Sequence, residues 1–279
     1  SEIFEGRIIE RFSGREIGAR LCNILPTRGV GKAIVLNGHD LKFIFELESF
    51  LKSKGHKVIR DDWEWGGPEL IWRSERLVGE AEIIISEWGL ANAVWYSKNK
   101  KEPQKHIVRV HSQEIRDRAR KMTSGIDMDG CNNVIFVAPH IREAAIDLFS
   151  WDSEKTRIIP NFVDSARFRL VKETEAEKTL AMIGIVPQSK RMDLAIDIIE
   201  ELMKENAGWK LILKGKTHLD LQFMRGPSRT EEFNWFEKVF ERVYASPELS
   251  ESVVFESHSS PISNWYPKAS YVLSLSEWE

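Results

Sequence analysis

Gly184-Ile-Val-Pro-Gln-Ser-Lys-Arg-Met-Asp193 follows the apolar run Leu180-Ala-Met-Ile183 and opens a periodic segment that begins at Leu194. A strand that ends in a glycine turn and hands over to a helix makes a ready anion site, because backbone N–H groups point outward there and the helix dipole favours negative charge. Lys190 and Arg191 add two cations at the mouth. The stretch therefore reads as a phosphate cradle, suited to a nucleotide diphosphate. The plain alternative is an ordinary strand–loop–helix with solvated cations.

The same strand–helix alternation runs through the chain. Upstream, short apolar runs at 33–37, 57–60, 81–86, 106–110, 133–138 and 157–159 read as strands. Between them, 41–54, 68–78, 90–97, 113–122 and 141–149 carry helical spacing, with Gly55 where a helix C-terminus favours it. Near-continuous apolar strands alternating with helices imply a parallel sheet covered on both faces. Residues 15–25 read as an outer helix. A charge-dense linker, Val171-Lys-Glu-Thr-Glu-Ala-Glu-Lys178, precedes a second series. It has strands at 179–183, 209–213, 252–255 and 270–275, helices at 194–205 and 231–244, a helical piece near 262–266 and a polar loop from 215 to 230. The expected architecture is α/β: two Rossmann-like domains, 1–165 and 166–279, with the second incomplete because the chain stops just after a strand.

Composition narrows the function. A length of 279 residues, 42% hydrophobic and 30% charged content suit a soluble globular chain. A net charge of −3, with basic and acidic residues interspersed, gives no global field for nucleic acid or an acidic membrane. No apolar run approaches the roughly 20 residues of a membrane span. Cys22 and Cys131 fit no zinc spacing and suggest reduced thiols in the cytoplasm.

Seven segments in order carry a resemblance: Asn37-Gly-His-Asp-Leu-Lys-Phe43, Ser86-Glu-Trp-Gly-Leu-Ala-Asn-Ala-Val-Trp-Tyr-Ser97, Val108-Arg-Val-His-Ser-Gln-Glu114, Ile158-Ile-Pro-Asn-Phe-Val-Asp164, the 184–193 stretch, Leu213-Lys-Gly-Lys216 and Leu273-Ser-Leu-Ser-Glu-Trp-Glu279. The chain resembles the GT-B glycosyltransferases of retaining family 4, in particular bacterial polysaccharide-type members. The resemblance implies a nucleotide-diphosphate sugar held mainly by the C-terminal domain, a glycan or lipid-linked acceptor against the N-terminal one, and no metal or cofactor. With the charge balance and the two cysteines, the expectation is no nucleic-acid partner and a cytoplasmic location, with peripheral attachment to the inner membrane face left open for an enzyme acting on lipid-linked glycans. Two departures stand out. Ile185 occupies a position where many members carry Arg. Of two glutamates spaced seven apart near the donor, Glu279 matches the first and the chain ends before the second, as in a truncated and inactive fragment.

In that reading Gly184, Lys190, Arg191, Lys214 and Lys216 bind the donor diphosphate, and Glu279 contacts the donor sugar. Cations there stabilise charge as it develops on the leaving group. His111 and Glu87, each at a strand end, line the acceptor side, with Trp88 able to stack on a sugar ring. Each also has a plain structural reading: a satisfied histidine, a rim packing residue. Asp40 reads as the cap of the helix at Leu41. Asp61-Asp-Trp-Glu64 reads as a polar loop, with metal binding as its alternative. Rival functions are a sugar-nucleotide epimerase of the same fold and a non-catalytic nucleotide-sugar-binding module.

Overall fold

The computed structural model describes residues 31–64, 70–205 and 208–277. The expected helix at 15–25, the start of the one expected at 68–78, and Glu279 lie outside them. The chain divides into two compact units, Ser1–Asp164 and Ser165–Glu279.

In the first unit, β1 (Ala33–Gly38), α1 (Phe45–Ser53), β2 (Lys57–Asp62), α2 (Ile71–Glu80), β3 (Ile83–Glu87), α3 (Ala91–Asn99), β4 (Lys105–Val110), α4 (Asp117–Thr123), β5 (Asn133–Phe136), α5 (Pro139–Phe149) and β6 (Thr156–Ile158) alternate as expected. The strands form one parallel sheet in the order β2-β1-β3-β4-β5-β6. Successive strand residues point to opposite faces, and both faces are covered. Ile34, Leu36, Ile83 and Ile85 pack with Leu47 and Leu51 of α1, while Val35 and Ile84 pack with Leu77, Val78 and Tyr96. Each such side chain contributes about 1.5–3 kcal/mol by leaving water, which is why these strands read as unbroken apolar runs.

The second unit holds β7 (Thr179–Ile183), α6 (Met192–Glu205), β8 (Lys210–Lys214), α7 (Thr230–Ala245), α8 (Pro247–Ser252), β9 (Val253–Glu256) and β10 (Tyr271–Leu273). Its parallel sheet runs β10-β7-β8-β9. Met192, Ile196 and Ile199 of α6 and Phe236, Val239 and Val243 of α7 close its core over Leu211 and Leu213.

Several boundaries differ from the sequence reading. Asp61 and Asp62 end strand β2 and are not loop residues. The first helix starts with a tight 3-10 turn, Leu41–Ile44, capped by Asp40, whose side chain accepts from the Lys42 N–H. The 215–230 segment contains three 3-10 turns that bury His218 and Met224. The unexpected α8 has Pro247 in its first turn and Ser246 as its cap.

Each sheet has one place where the chain reverses its direction of growth. In the first it lies between β1 and β3, in the second between β7 and β10. Open α/β sheets bind ligands outside the carboxyl ends of strands at such switch points.

Candidate functional site

The first switch point brings Gly38 and Glu87 side by side. A Cβ at Gly38 would meet the Glu87 carbonyl oxygen at 2.5 Å, so only glycine lets β1 and β3 approach there. Asn92 ties the two exits together, donating to the Asn37 side chain at 2.8 Å and to the Glu87 carbonyl at 3.1 Å.

Around that point sits a buried charged cluster. Glu87 is fully buried and receives Arg109 Nη1–H at 2.6 Å on Oε2. Arg109, also buried, reaches Asn161 Oδ1 at 2.7 Å through Nη2. His111 lies between two carboxylates, with Nε2 3.3 Å from Glu87 Oε1 and Nδ1 3.5 Å from Glu114 Oε1. Neither imidazole nitrogen is aligned for a hydrogen bond. Burial pushes the Glu87 carboxyl up, against the pull of Arg109 and His111. The geometry joins the expected residues Glu87 and His111 and adds Arg109, Glu114 and Asn161, to which sequence reasoning gave no role. One signal was available: Arg109 interrupts the apolar residues Ile107, Val108 and Val110 of a buried strand, and a buried charge requires partners.

Trp88 takes a left-handed backbone, φ 71°, and its side chain is buried. Its indole N–H donates to the Asp40 carbonyl at 3.0 Å, and its ring centroid lies 4.3 Å from that of His111. The indole therefore packs under the site, which corrects the expectation of a face open to a sugar. Phe43, half-exposed, covers both rings at 6.0 and 5.4 Å. Asp61 accepts from Trp63, Ser74 and Tyr96 at 2.6–2.8 Å and braces β2 against α2 and α3.

At the second switch point Gly184, after β7, has φ 78°, and beside it Gly215, after the neighbouring β8, has φ 147°, both in the region that favours glycine. The Gly184 N–H donates to the Lys214 carbonyl at 2.8 Å. Ile185 is buried in the core, so no cation stands at that position. A 3-10 turn, Gln188–Lys190, then leads through Arg191, φ 62°, into α6. Lys190 is half-buried there and Lys216 is exposed. Arg191 forks onto Asp193 at 3.0 and 2.8 Å and meets Glu277 at 3.3 Å. An anion already approaches this turn: Glu232 Oε1 accepts the Gln188 N–H at 2.8 Å. Lys214 differs from its expected place at a diphosphate. It is buried, and its ammonium donates to the Ser257 carbonyl at 2.6 Å, with Glu256 at 3.4 Å and the Trp265 ring 5.7 Å away.

No family model matches the chain, and no curated protein matches it in sequence. Solved structures do match in shape. A glycosyltransferase from Rickettsia africae is 13% identical, with 88% of this chain and 73% of that one aligned at a TM-score of 0.58. A UDP-forming α,α-trehalose-phosphate synthase from Burkholderia xenovorans is 10% identical, with 86% and 76% aligned at 0.59. TarM is 18% identical, with 71% and 36% aligned at 0.51. The chain thus spans about a third of TarM and about three quarters of the other two. The fold is that of the GT-B glycosyltransferases. Among the described residues, no helix is long and apolar enough to cross a membrane.

Proposed function

We propose that this protein is a glycosyltransferase that moves a sugar from a nucleotide-diphosphate donor to a glycan or lipid-linked acceptor, with retention and without a metal or cofactor. The observation that carries the reading is the chemistry at the two switch points. One presents a buried Glu87–Arg109–His111 cluster. The other presents a glycine turn bearing Lys190, Arg191 and, across Gly215, Lys216.

In this reading the bond from the sugar carbon to the diphosphate oxygen breaks as the bond to the acceptor oxygen forms, and the acceptor's hydroxyl proton passes to the departing diphosphate. Negative charge grows on the leaving phosphate, where fixed cations and N–H groups stabilise it most. Lys190 and Lys216 carry that role with Arg191, while Lys214 stays committed to Glu256. His111 and Glu87 serve the acceptor hydroxyl, and Glu279 the donor sugar. The UDP-forming activity named for the trehalose-phosphate synthase supports UDP as the first nucleotide to try.

The test is calorimetric titration with UDP and GDP, followed by release of either from its sugar conjugates. Lys190→Ala is expected to weaken nucleotide binding about 10- to 100-fold, since a charge-assisted contact contributes about 1.5–3 kcal/mol. Equal affinity in the variant would sink the diphosphate assignment.

A further inference from the structure

Glu114 is fully buried, and one of its oxygens does two things at once. Oε1 accepts the N–H of Gly89 at 3.1 Å and the N–H of His111 at 3.0 Å. Gly89 lies just past the end of β3 and His111 just past the end of β4. A single carboxylate oxygen therefore bridges the exits of two neighbouring strands. The other oxygen, Oε2, is buried with no hydrogen-bond partner in the protein.

Those exits require such a restraint. Trp88 holds a left-handed backbone that a bulky residue adopts at a cost and keeps only where its surroundings over-determine it. The residue after it is anchored by Glu114, and its ring packs on His111, whose own backbone is anchored by the same oxygen. The side-chain approach of Glu114 to His111 Nδ1, 3.5 Å and unaligned, is looser than the backbone contacts.

We propose that Glu114 is a positioning residue: through Oε1 it locks the β3 and β4 exits together and so holds His111 against Glu87 and Trp88. The proposal rests on reading this cluster as the acceptor side of a glycosyl-transfer site. Glu114 acts through the backbone of His111 and not on a substrate.

Three variants separate reach from charge. Glu114→Gln keeps an oxygen at the same reach and loses the charge. Glu114→Asp keeps the charge and loses the reach. Glu114→Ala loses both. Each is measured in two ways: hydrogen exchange at the Gly89 and His111 amides, and UDP release from UDP-glucose as kcat and KM.

For Asp and Ala, exchange at both amides is expected to rise at least about tenfold. Their kcat is expected to fall about 100-fold, the scale of a 1 Å misplacement, with donor KM nearly unchanged. Gln is expected to keep both amides protected and to recover kcat to within about fivefold of the parent. Protected amides in the Ala or Asp variant overturn the clamp, as do deprotected amides with unchanged kcat. A Gln variant as slow as Ala with its amides still protected also overturns it, since charge would then be the operative property. Absence of turnover in the parent chain defeats the functional reading alone, and amide exchange still decides the clamp.

Discussion

The two switch points share a topology and differ in how their charges are held. In the first unit the charges lie inside the protein. Glu87 and Arg109 are buried against each other, and His111 and Glu114 are buried beside them. In the second unit Arg191 and Lys190 are only half-buried and Lys216 is exposed. A buried charge is destabilising when its partner goes, so the first site cannot lose one of these charges without a cost in folding stability. Half-exposed charges contribute little to stability, so the second site is able to lose them and keep its fold. Both sites hold a non-glycine residue in a left-handed backbone, Trp88 in the first and Arg191 in the second, but Trp88 is buried and bulky, whereas around Arg191 the turn glycines Gly184 and Gly215 accept positive φ without cost.

Replacing Arg109 by Met is the strongest way to break this contrast. It leaves the Glu87 carboxylate buried without its cation, at a cost of about 3–5 kcal/mol. Urea denaturation checks this. Adding Glu87→Gln to Arg109→Met is expected to recover most of the loss. A cost below about 1 kcal/mol for Arg109→Met alone would place the pair among surface-like contacts and remove the distinction.

The second prediction stays in the first unit and concerns His106. Its imidazole is wholly buried, with Nε2 2.8 Å from Ser86 Oγ and Nδ1 3.7 Å from Cys131 Sγ. Burial lowers its pKa to about 3, outweighing a hydrogen bond to the Gly130 backbone. The unfolded chain therefore binds a proton below about pH 6.5 that the folded one refuses until about pH 3. His106 thus makes stability fall as pH falls through that window. Between pH 7 and pH 5 the loss is about 2 kcal/mol, and the same figure follows for any folded value well below 5. His106→Asn should remove that part of the pH slope in denaturation curves taken at both pH values. An unchanged slope would mean that the imidazole is accessible to protons in the folded state.

These two predictions rest on residues that the sequence left without a role, and the reason is physical. Periodicity reports which face of an element is buried, so the alternation of strands and helices was legible almost throughout. It does not report which polar groups meet. His106 and Arg109 interrupt the apolar run of β4, and that interruption was the available clue. Their partners, Glu87, Asn161, Ser86 and Cys131, come from other elements and become neighbours only once the sheet order is fixed. The expected helix at 113–122 begins only at Asp117 because Glu114 folds back onto the His111 N–H. In the second unit Gly184 was legible because glycine marks positive φ directly. The diversion of Lys214 to Glu256 and Ser257 was not, since one ends β9 and the other follows it, and β9 becomes a neighbour of β8 only in the folded sheet.

Gly184→Ala tests the second site at intermediate size. Space is available, since a Cβ there meets nothing within 4 Å, and only φ 78° resists it. A non-glycine residue in that region costs about 1–2 kcal/mol. Chemical denaturation should show that loss together with weaker UDP binding by calorimetry, because the turn places the N–H groups that follow it. A neutral substitution would mean that the turn relaxes to another backbone and is not pre-set for an anion.

Arg191→Gly is expected to have the smallest effect on stability and is the sharpest test of the contrast. Arg191 sits at φ 62°, where glycine is at ease, so the substitution relieves backbone strain. It also removes the fork onto Asp193 and the contact with Glu277, which are partly solvated and of little weight. The two effects oppose each other, and the unfolding midpoint should stay within the scatter of ordinary surface substitutions. UDP affinity should nevertheless drop about 3- to 10-fold, because one cation leaves the mouth of the anion site. Stability and binding would then be separable in the second unit, as they are not for Arg109 in the first. A large fall in the midpoint would instead give Arg191 a structural role like that of Arg109, and the two switch points would differ only in depth of burial.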